Sequence, residues 1–174
     1  MPTIRAAANS TGEAEPPLYY KPGAGIMTGP VNVYYIYYGD WSQRQKDIVT
    51  QFTNGLIVSP WWKTTLKYYQ QLTPNAEKQF ASANIRCGKS ANDNYSLGKI
   101  LKNGDIAAIV QAKLNDGSLP EDLSGIYYVL TAKDVIEGYS DTRSMCDNYC
   151  GYHYSFWSDR GNQLFSAFSP VNSF

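Results

Sequence analysis

The segment Gly29-Pro-Val-Asn-Val-Tyr-Tyr-Ile-Tyr-Tyr-Gly-Asp-Trp41 decides the fold. Eight residues, nearly all of high strand propensity, lie between a Gly-Pro pair and a Gly-Asp pair, and both pairs favour turns. Side chains in a strand alternate between two faces, and apart from Asn32 both alternating sets here are apolar or aromatic. A strand that is apolar on both faces is covered on both faces. The sequence therefore predicts a central strand with a layer on each side.

The composition excludes several classes of partner. The chain has 174 residues, 43% of them hydrophobic, which is enough for one domain with a real core. Its formal net charge is zero and no block of like charges occurs, so neither nucleic acid nor an anionic membrane surface is indicated. No apolar run reaches the roughly 18 residues of a spanning helix. The 15 Tyr side chains suit core packing as well as contacts with sugars or proteins.

Three amphipathic helices are predicted from caps and periodicity. Ser42 and Gln45 form a capping box, which begins a helix that extends to about residue 57. Ser59-Pro60 begins a second helix, with Ser as the cap and Pro in the first turn. The first helix carries an apolar stripe of Ile48, Val49, Phe52 and Leu56. A third helix carries an apolar stripe of Ile106, Ile109, Val110 and Leu114.

Further strands complete an α/β pattern. Residues 125–130 read as a second strand that is apolar on both faces, and residues 152–157 as a third strand. Two-sided apolar strands separated by amphipathic helices predict a single α/β domain in which a mixed β-sheet is layered with helices. We assign this domain to residues 29–174. Residues 1–28 are rich in Ala, Gly and Pro without a period, and they read as a flexible or extended arm.

Other segments have weaker patterns. Residues 76–87 alternate imperfectly and are compatible with a strand, whereas the polar tract 88–96 reads as a loop. Short helical turns are predicted at 97–102 and at 135–139. Residues 158–174 have no usable period, so no element is predicted there.

The familiar catalytic motifs are absent from the sequence. The chain has one His, so a zinc site with several His ligands cannot be built within it. The Gly-x-Ser-x-Gly elbow, the His-Glu-x-x-His helix and the Gly-rich phosphate loops do not occur. The sequence therefore predicts no catalytic residue and no cofactor, and it leans against an enzyme.

Residues that can form a disulfide or bind a metal are most concentrated in the segment that contains Cys146, Cys150 and His153. A local disulfide between Cys146 and Cys150 is one interpretation, because four residues of separation can bring two Cys within disulfide range. Free thiols are a second interpretation. A weak metal site formed by the two Cys and His153 is the third, with Cys87 or an Asp as a further ligand.

Four Trp side chains are candidate ligand contacts: Trp41, Trp61, Trp62 and Trp157. Trp61 and Trp62 are adjacent in a predicted helix and cannot share one face, so one of them is expected at a rim or a loop. An aromatic platform for a sugar ring is the functional interpretation, and core packing is the alternative.

Signals of location are sparse. The N-terminal residues 1–9 lack the apolar core of a signal peptide, so either the protein is not secreted by that route or the chain starts after processing. Asn9 and Asn94 each begin a glycosylation sequon in a polar stretch. These sequons favour secretion only weakly, because short motifs arise often by chance.

Taken together, the landmarks resemble the plant EXORDIUM family, also called phosphate-induced proteins. The resemblance covers roughly residues 25–157 in the same order and spacing. The matching segments are Gly29–Ser42, the Gln45–Leu56 helix, Ser59-Pro-Trp-Trp-Lys63, Tyr95-Ser-Leu-Gly98, Gly125–Val135 and Cys146-x-x-x-Cys-Gly-Tyr-His153.

The resemblance implies an extracellular, cell-wall-associated protein that is linked to growth and to carbon or nutrient status. It implies no established enzymatic activity. Family members carry a signal peptide and continue past the Cys-Gly-x-His segment with a further Cys pair, whereas this sequence shows neither feature. A zincin-like topology without the metal-binding helix is also compatible with the resemblance, because some microbial relatives carry a His-Glu helix reminiscent of zinc peptidases.

Three functions follow as hypotheses. The first is a non-catalytic module that binds glycan or protein through its aromatic side chains. The second is a structural subunit of a larger assembly, which uses the 1–28 arm to reach its neighbours. The third is a degenerate peptidase-like hydrolase, and a stoichiometric zinc in the purified protein would support it.

Overall fold

The computed structural model describes residues 26–102, 104–140, 143–144 and 149–170, with the backbone alone at 139–140 and 143–144. The predicted single α/β domain, with a mixed sheet layered with helices, is confirmed. The helices are α1 (Gln43–Leu56), α2 (Pro60–Thr65) and α3 (Asp105–Asn115). The strands are β1 (Val31–Tyr38), β2 (Tyr69–Gln70), β3 (Gln79–Phe80), β4 (Ile85–Cys87), β5 (Ala91–Asp93), β6 (Ile100–Lys102), β7 (Ile126–Thr131), β8 (Ile136–Ser140), β9 (Arg143–Ser144), β10 (Tyr152–Trp157) and β11 (Gln163–Pro170).

The main sheet is built around β1. Its strand order is β10-β11-β7-β1-β4, and β5 pairs with the carboxyl half of β1 beyond β4. β4, β5 and β7 all run parallel to β1, β11 runs parallel to β7, and only the outer strand β10 is antiparallel to its neighbour. Two small sheets, β2-β3 and β6-β8-β9, lie outside this path.

A helical layer covers each face of β1. On one face, the Tyr35 hydroxyl lies 2.5 Å from Thr53 Oγ1 in α1. On the other face, the Tyr34 ring stacks on the Tyr127 ring at 5.2 Å. Tyr127 is in register with Ser166 of β11, and Ser166 is in register with Tyr154 of β10. The Tyr154 hydroxyl forms a hydrogen bond with the backbone of α3. The two-sided apolar pattern of β1 therefore arises from burial between α1 and α3.

The predicted caps are present in the structure. Ser42 and Gln45 form the capping box of α1, and the Ser59 hydroxyl accepts a hydrogen bond from the Trp62 backbone N–H at 3.1 Å. α3 buries all four residues of its predicted stripe. The stripe of α1 is different: Ile48 and Phe52 are exposed, because this helix meets the sheet chiefly through neighbouring side chains such as that of Thr53.

Five segments differ from their predictions. The polar tract predicted as a loop contains β5, and the two predicted helical turns are the strands β6 and β8, which pair with each other. The tail without a period contains β11, which is eight residues long. These strands are short or irregular in pattern, and each one pairs with at least one strand that is distant in sequence. Residues 76–87 form two short strands, β3 and β4, rather than one.

Buried tyrosines make the domain sensitive to alkaline pH. Burial, with Tyr35 nearby, raises the pKa of Tyr37 to about 12, and burial likewise raises the pKa of Tyr127 to about 12. Burial also raises the pKa of Tyr34, with further effect from Asp122. A raised folded-state pKa means that the contribution to stability is complete below the unfolded value of about 10 and is lost as pH rises through the folded values.

We therefore expect the free energy of unfolding to fall steadily above about pH 10. Urea unfolding at pH 8, 10 and 11 would measure this loss. Absorbance at 295 nm would follow phenol ionisation, and the urea-denatured chain, titrated in parallel, is the control. If native and denatured chains ionise along the same curve, the buried tyrosines do not resist ionisation and the prediction is wrong.

Candidate functional site

The carboxyl ends of β1, β5 and β7 meet at one edge of the sheet. Tyr38, the last residue of β1, is in register with Asp93 of β5 on one side and with Thr131 of β7 on the other. The chain passes from β1 to β4 and β5, and then returns across β1 to β7, so the strand order reverses at β1. Open α/β sheets place ligand sites outside such a reversal, at the carboxyl ends of the strands.

Three side chains and one backbone N–H from three loops interact at this edge, and we call these residues the carboxyl-edge cluster: Asp40, through its N–H, with Tyr95, Lys99 and Asp134. The Tyr95 hydroxyl donates to both carboxylate oxygens of Asp134 at 3.0 and 3.1 Å, and it accepts from the Asp40 backbone N–H at 3.1 Å. Lys99 Nζ lies 2.7 Å from Asp134 Oδ2 and 5.0 Å from the centre of the Tyr95 ring. The Lys99 ammonium, with help from Tyr95, holds the pKa of Asp134 below its ordinary range.

Tyr95 has a backbone conformation that is rare for its residue type. Its φ is 55°, in the left-handed region, and it is the one described non-glycine residue with a positive φ. Its ring meets the Tyr38 ring edge-on at 6.0 Å, and the Tyr38 hydroxyl donates to the Gly98 carbonyl at 2.7 Å. Bulky residues adopt this conformation only where the surroundings fix it. The cluster is therefore held rigidly by the strands beneath it.

A buried ion pair lies below the cluster. Asp93 is 1% exposed at its side chain, and its carboxylate accepts from the Ser96 backbone N–H and hydroxyl at 2.8 and 2.9 Å. Lys113 of α3 lies 3.1 Å from Asp93 Oδ2. This pair connects α3 to the loop that carries Tyr95. Most of the polar groups named at this edge thus bind one another, whereas the buried Thr131 hydroxyl at the end of β7 has no hydrogen-bond partner among the described residues.

The chain segment that connects α1 to β4 provides a second candidate surface. Residues 57–80, which we call the aromatic segment, carry α2 and the β2-β3 hairpin. Trp61 is 64% exposed and its ring lies 5.9 Å from the ring of Trp62. Tyr69 and Phe80 contact each other across the hairpin at 5.6 Å, and Lys78 Nζ lies 4.3 Å from the Tyr69 ring centre. Most of these rings face solvent rather than the core.

The other predicted Trp contacts lie elsewhere. Trp41 is buried, packs on the Tyr37 ring at 5.0 Å, and donates its indole N–H to the Tyr38 carbonyl. Trp157 is 70% exposed at the end of β10, on the opposite side of the sheet order from β4. Trp62 is half-buried next to Trp61. The structure therefore brings together only Trp61 and Trp62, and the ligand contacts of all four stay predictions.

The sheet separates Cys87 from Cys150 and His153. Cys87 belongs to β4 and Cys150 precedes β10, at opposite ends of the strand order, and the two do not form a disulfide with each other. Four strand spacings separate those ends, or about 19 Å. Cys146 lies outside the described residues, so its pairing with Cys150 stays a prediction. His153 is exposed on β10. In the part of the chain that the structure describes, no cluster of three His, Cys, Asp or Glu can hold a metal.

Both glycosylation predictions also stay predictions. Asn9 lies outside the described residues. Asn94 is exposed immediately after β5, so its side-chain amide is accessible from solvent at the carboxyl edge. Among the described helices, none is long and apolar enough to cross a membrane.

The carboxyl-edge cluster was missed by reasoning from the residues. Three segments that carry the family resemblance meet here: the end of Gly29–Ser42, Tyr95-Ser-Leu-Gly98 and the end of Gly125–Val135. The signal was therefore present in the landmarks, which are adjacent only after β1, β5 and β7 are aligned.

The fold and this edge define a class: an open, doubly wound α/β domain with a rigid carboxyl edge. Comparison with known proteins identifies the family. Residues 18–171 match the model described as "Phosphate-induced protein 1 conserved region". The chain therefore belongs to the phosphate-induced protein 1 family, and the resemblance to EXORDIUM proteins is confirmed.

Curated plant relatives match over most of the chain. Protein PHOSPHATE-INDUCED 1 of Nicotiana tabacum is 35% identical over 148 residues, which cover 78% of this chain and 41% of the relative. Protein EXORDIUM-like 5 of Arabidopsis thaliana is 30% identical over 79% of this chain and 38% of its own length. Protein EXORDIUM of the same plant is 30% identical over 86% and 49%, respectively. The chain thus spans less than half the length of these relatives. No solved structure matches it significantly.

Proposed function

We propose that this protein is a non-catalytic, extracellular or cell-wall-associated module of the phosphate-induced family, which binds a wall glycan and acts in growth or nutrient response. The family membership supports the role in growth or nutrition. The observation that carries the binding proposal is the exposure of aromatic rings in the aromatic segment.

Exposure of aromatic rings to water is unfavourable in free energy, and contact with a partner relieves it. Trp61, Tyr68 and Phe80 are 64%, 69% and 51% exposed, and all lie within the aromatic segment. Clustered exposed apolar surface marks binding sites in folded proteins. Aromatic rings present flat apolar faces, and Tyr and Trp add a polar group at the edge, which matches the mixed apolar and hydroxyl surface of a sugar ring.

Polar groups accompany these rings. Gln70 Nε2 donates to Gln79 Oε1 at 2.6 Å across the hairpin, in the register pair next to Tyr69 and Phe80 and so on the opposite face. Lys78 Nζ lies over the Tyr69 ring itself. An ammonium next to an apolar ring face supplies donors for hydroxyl groups. Because the chain has zero formal charge, a neutral polysaccharide fits better than a strongly charged one.

Replacing Trp61 with Ala is expected to weaken binding to wall polysaccharides at least tenfold, because a stacked aromatic contact is lost from an exposed site. Binding to an array of plant wall polysaccharides, followed by titration of the best ligand, measures the effect. Trp157→Ala is the matched control, since Trp157 is equally exposed but lies on β10.

Equal binding by wild type, Trp61→Ala and Trp157→Ala would remove the aromatic segment from the proposal. No binding to any polysaccharide by the folded wild-type protein would overturn the glycan proposal itself. The location is tested separately, by detection of the native protein in the cell-wall fraction rather than inside the cell.

A further inference from the structure

The outer strand β10 has an edge that no other described strand covers. β10 pairs with β11 on one side, and within the described residues nothing pairs with its other side. Its sequence, Tyr-His-Tyr-Ser-Phe-Trp, contains no charged Lys, Arg, Asp or Glu and no Pro. An edge strand with free backbone groups is a template for pairing with another strand. Charge, Pro, bulges or short length are the usual protection against such pairing.

The other edges of the main sheet are protected in these ways. β4 and β5 have only three residues each, and they carry Arg86 and Asp93. β10 has six residues and none of these features. Within this sheet, β10 is therefore the outer strand best suited to pairing with a further strand.

β10 is also fixed in position before any partner arrives. Tyr152, Tyr154 and Phe156 lie on the core side, where the Tyr152 ring meets the Phe168 ring at 5.1 Å. The Tyr152 hydroxyl donates to the buried Glu137 carboxylate at 3.2 Å. A strand that is already ordered loses little conformational freedom when another strand pairs with it.

We propose that β10 pairs with β10 of a second copy of this chain, antiparallel about a two-fold axis perpendicular to the sheet. Antiparallel pairing is the arrangement that such an axis generates for identical strands, and it keeps the two faces of the sheet in line. With the axis through Ser155, Trp157 of one copy lies opposite His153 of the other. The two sheets then form one continuous sheet.

Charge and size define the strength of this dimer. Because β10 carries no Lys, Arg, Asp or Glu, the edge meets its own copy without like charges in contact. A strand of six residues is about 20 Å long, and pairing along it covers less than the roughly 800 Å² per partner of a standard interface. Exposed Trp157 and Phe165 on the adjoining face add apolar area. A reversible dimer that forms at micromolar or higher concentration is expected.

The test is light scattering coupled to size-exclusion chromatography over a wide concentration range. Wild-type protein is expected to change from monomer to dimer as concentration rises. Ser155→Lys places two ammonium groups opposite each other at the two-fold axis, so it is expected to weaken the dimer at least tenfold. Gln163→Lys is the matched control: Gln163 donates to Ser155 and shares its face, but it lies on β11 rather than at the edge.

Hydrogen exchange distinguishes the edge from other contacts. Backbone amides of β10 are expected to gain protection as the wild-type dimer forms, and not in Ser155→Lys. A wild-type chain that stays monomeric at every concentration overturns the proposal. A dimer that Ser155→Lys and Gln163→Lys affect equally also overturns it, because the contact then lies elsewhere. If circular dichroism shows that Ser155→Lys is unfolded, the wild-type exchange decides: a dimer that forms without added protection of the β10 amides overturns the proposal.

Discussion

Replacing Lys113 with Met is expected to lower the free energy of unfolding by about 3–5 kcal/mol, because it leaves a buried carboxylate without its cation. Asp93 is 1% exposed and Lys113 is 14% exposed at their side chains. Met keeps most of the volume of the Lys side chain, so the loss reports on charge rather than on packing. The two hydrogen bonds from Ser96 remain, but they do not replace a neutralising charge. Urea unfolding at pH 7 measures the change.

The chain contains a matched control for this experiment. Lys99 and Asp134 form a shorter ion pair, at 2.7 Å, but the two side chains are 59% and 39% exposed. Lys99→Met is therefore expected to lower the free energy of unfolding far less than Lys113→Met does, because water screens the exposed pair. If the shorter, exposed pair proves as costly as the buried one, distance rather than burial determines the energy and the prediction is wrong.

A second variant tests whether Lys113 and Asp93 stabilise the fold as a pair. Asp93→Asn removes the buried charge, and Asn keeps Oδ1, which accepts from the Ser96 backbone N–H. Combined with Lys113→Met, it is expected to restore a large part of the lost stability, so that the two changes are strongly non-additive. Additive losses would mean that Lys113 and Asp93 do not act as a pair.

Asp93 also shows why the sequence could not reveal this site. β5 has three residues within a polar tract, and the alternation of its buried Ala91, exposed Asn92 and buried Asp93 is too short to define a strand. Its position depends on the carboxyl half of β1, with which it pairs. Pairing between distant segments is a property of the assembled sheet, and local periodicity carries no information about it.

Elements with strong local patterns were predicted well. β1 and β7 are apolar on both faces, the caps of α1 and α2 are local, and α3 has a clear apolar stripe, so each is specified by neighbouring residues. β11 is the counter-example: it is eight residues long but alternates buried Leu164, Ser166 and Phe168 with exposed or half-buried residues, and one of the three is polar. It becomes a strand because β7 and β10 lie on either side of it.

The candidate surfaces also differ in how far the local sequence specifies them. One of Trp61 and Trp62 was predicted at a rim because two adjacent Trp cannot share one helical face, and in the structure Trp61 is the exposed one. Trp41 was proposed as a contact from the aromatic content and the family resemblance, and its burial follows from the packing of Tyr37 and Tyr38. The carboxyl-edge cluster requires three chain segments to be brought together. The topology of β1, β5 and β7 does this, and no spacing along the sequence encodes it.

Replacing Gly39 with Ala is the second change for which a large loss is expected, about 2–5 kcal/mol of the free energy of unfolding. Gly39 has a φ of +95°, which costs an L residue roughly 1–2 kcal/mol. A Cβ at this position would also lie 2.8 Å from Ala132 Cβ and 2.9 Å from a ring carbon of Tyr95. Forcing an extra carbon into such packing costs about 1–3 kcal/mol more.

The backbone around Gly39 has little freedom to relieve these contacts. The Gly39 N–H donates to the Asp93 carbonyl at 2.7 Å, and the Ala132 N–H donates to the Tyr38 carbonyl at 2.8 Å. Any shift that relieves the Cβ must therefore stretch one of these bonds or move the Tyr95 ring. Since Tyr95 holds Asp40 and Asp134, we expect Gly39→Ala to disturb the whole carboxyl-edge cluster as well as to lower stability.

Two control variants separate the two costs. Gly117→Ala has a φ of +75° and open space around the new Cβ, so it measures the conformational cost alone. Gly125→Ala has no positive φ, but its Cβ would lie 2.7 Å from a ring carbon of Tyr34, so it measures the contact cost. We expect the loss for Gly39→Ala to exceed that for Gly117→Ala and to approach the sum of the two controls. A loss no larger than that for Gly117→Ala would show that the edge yields to the new carbon, and the carboxyl-edge cluster would then not be the rigid element that joins β1, β5 and β7.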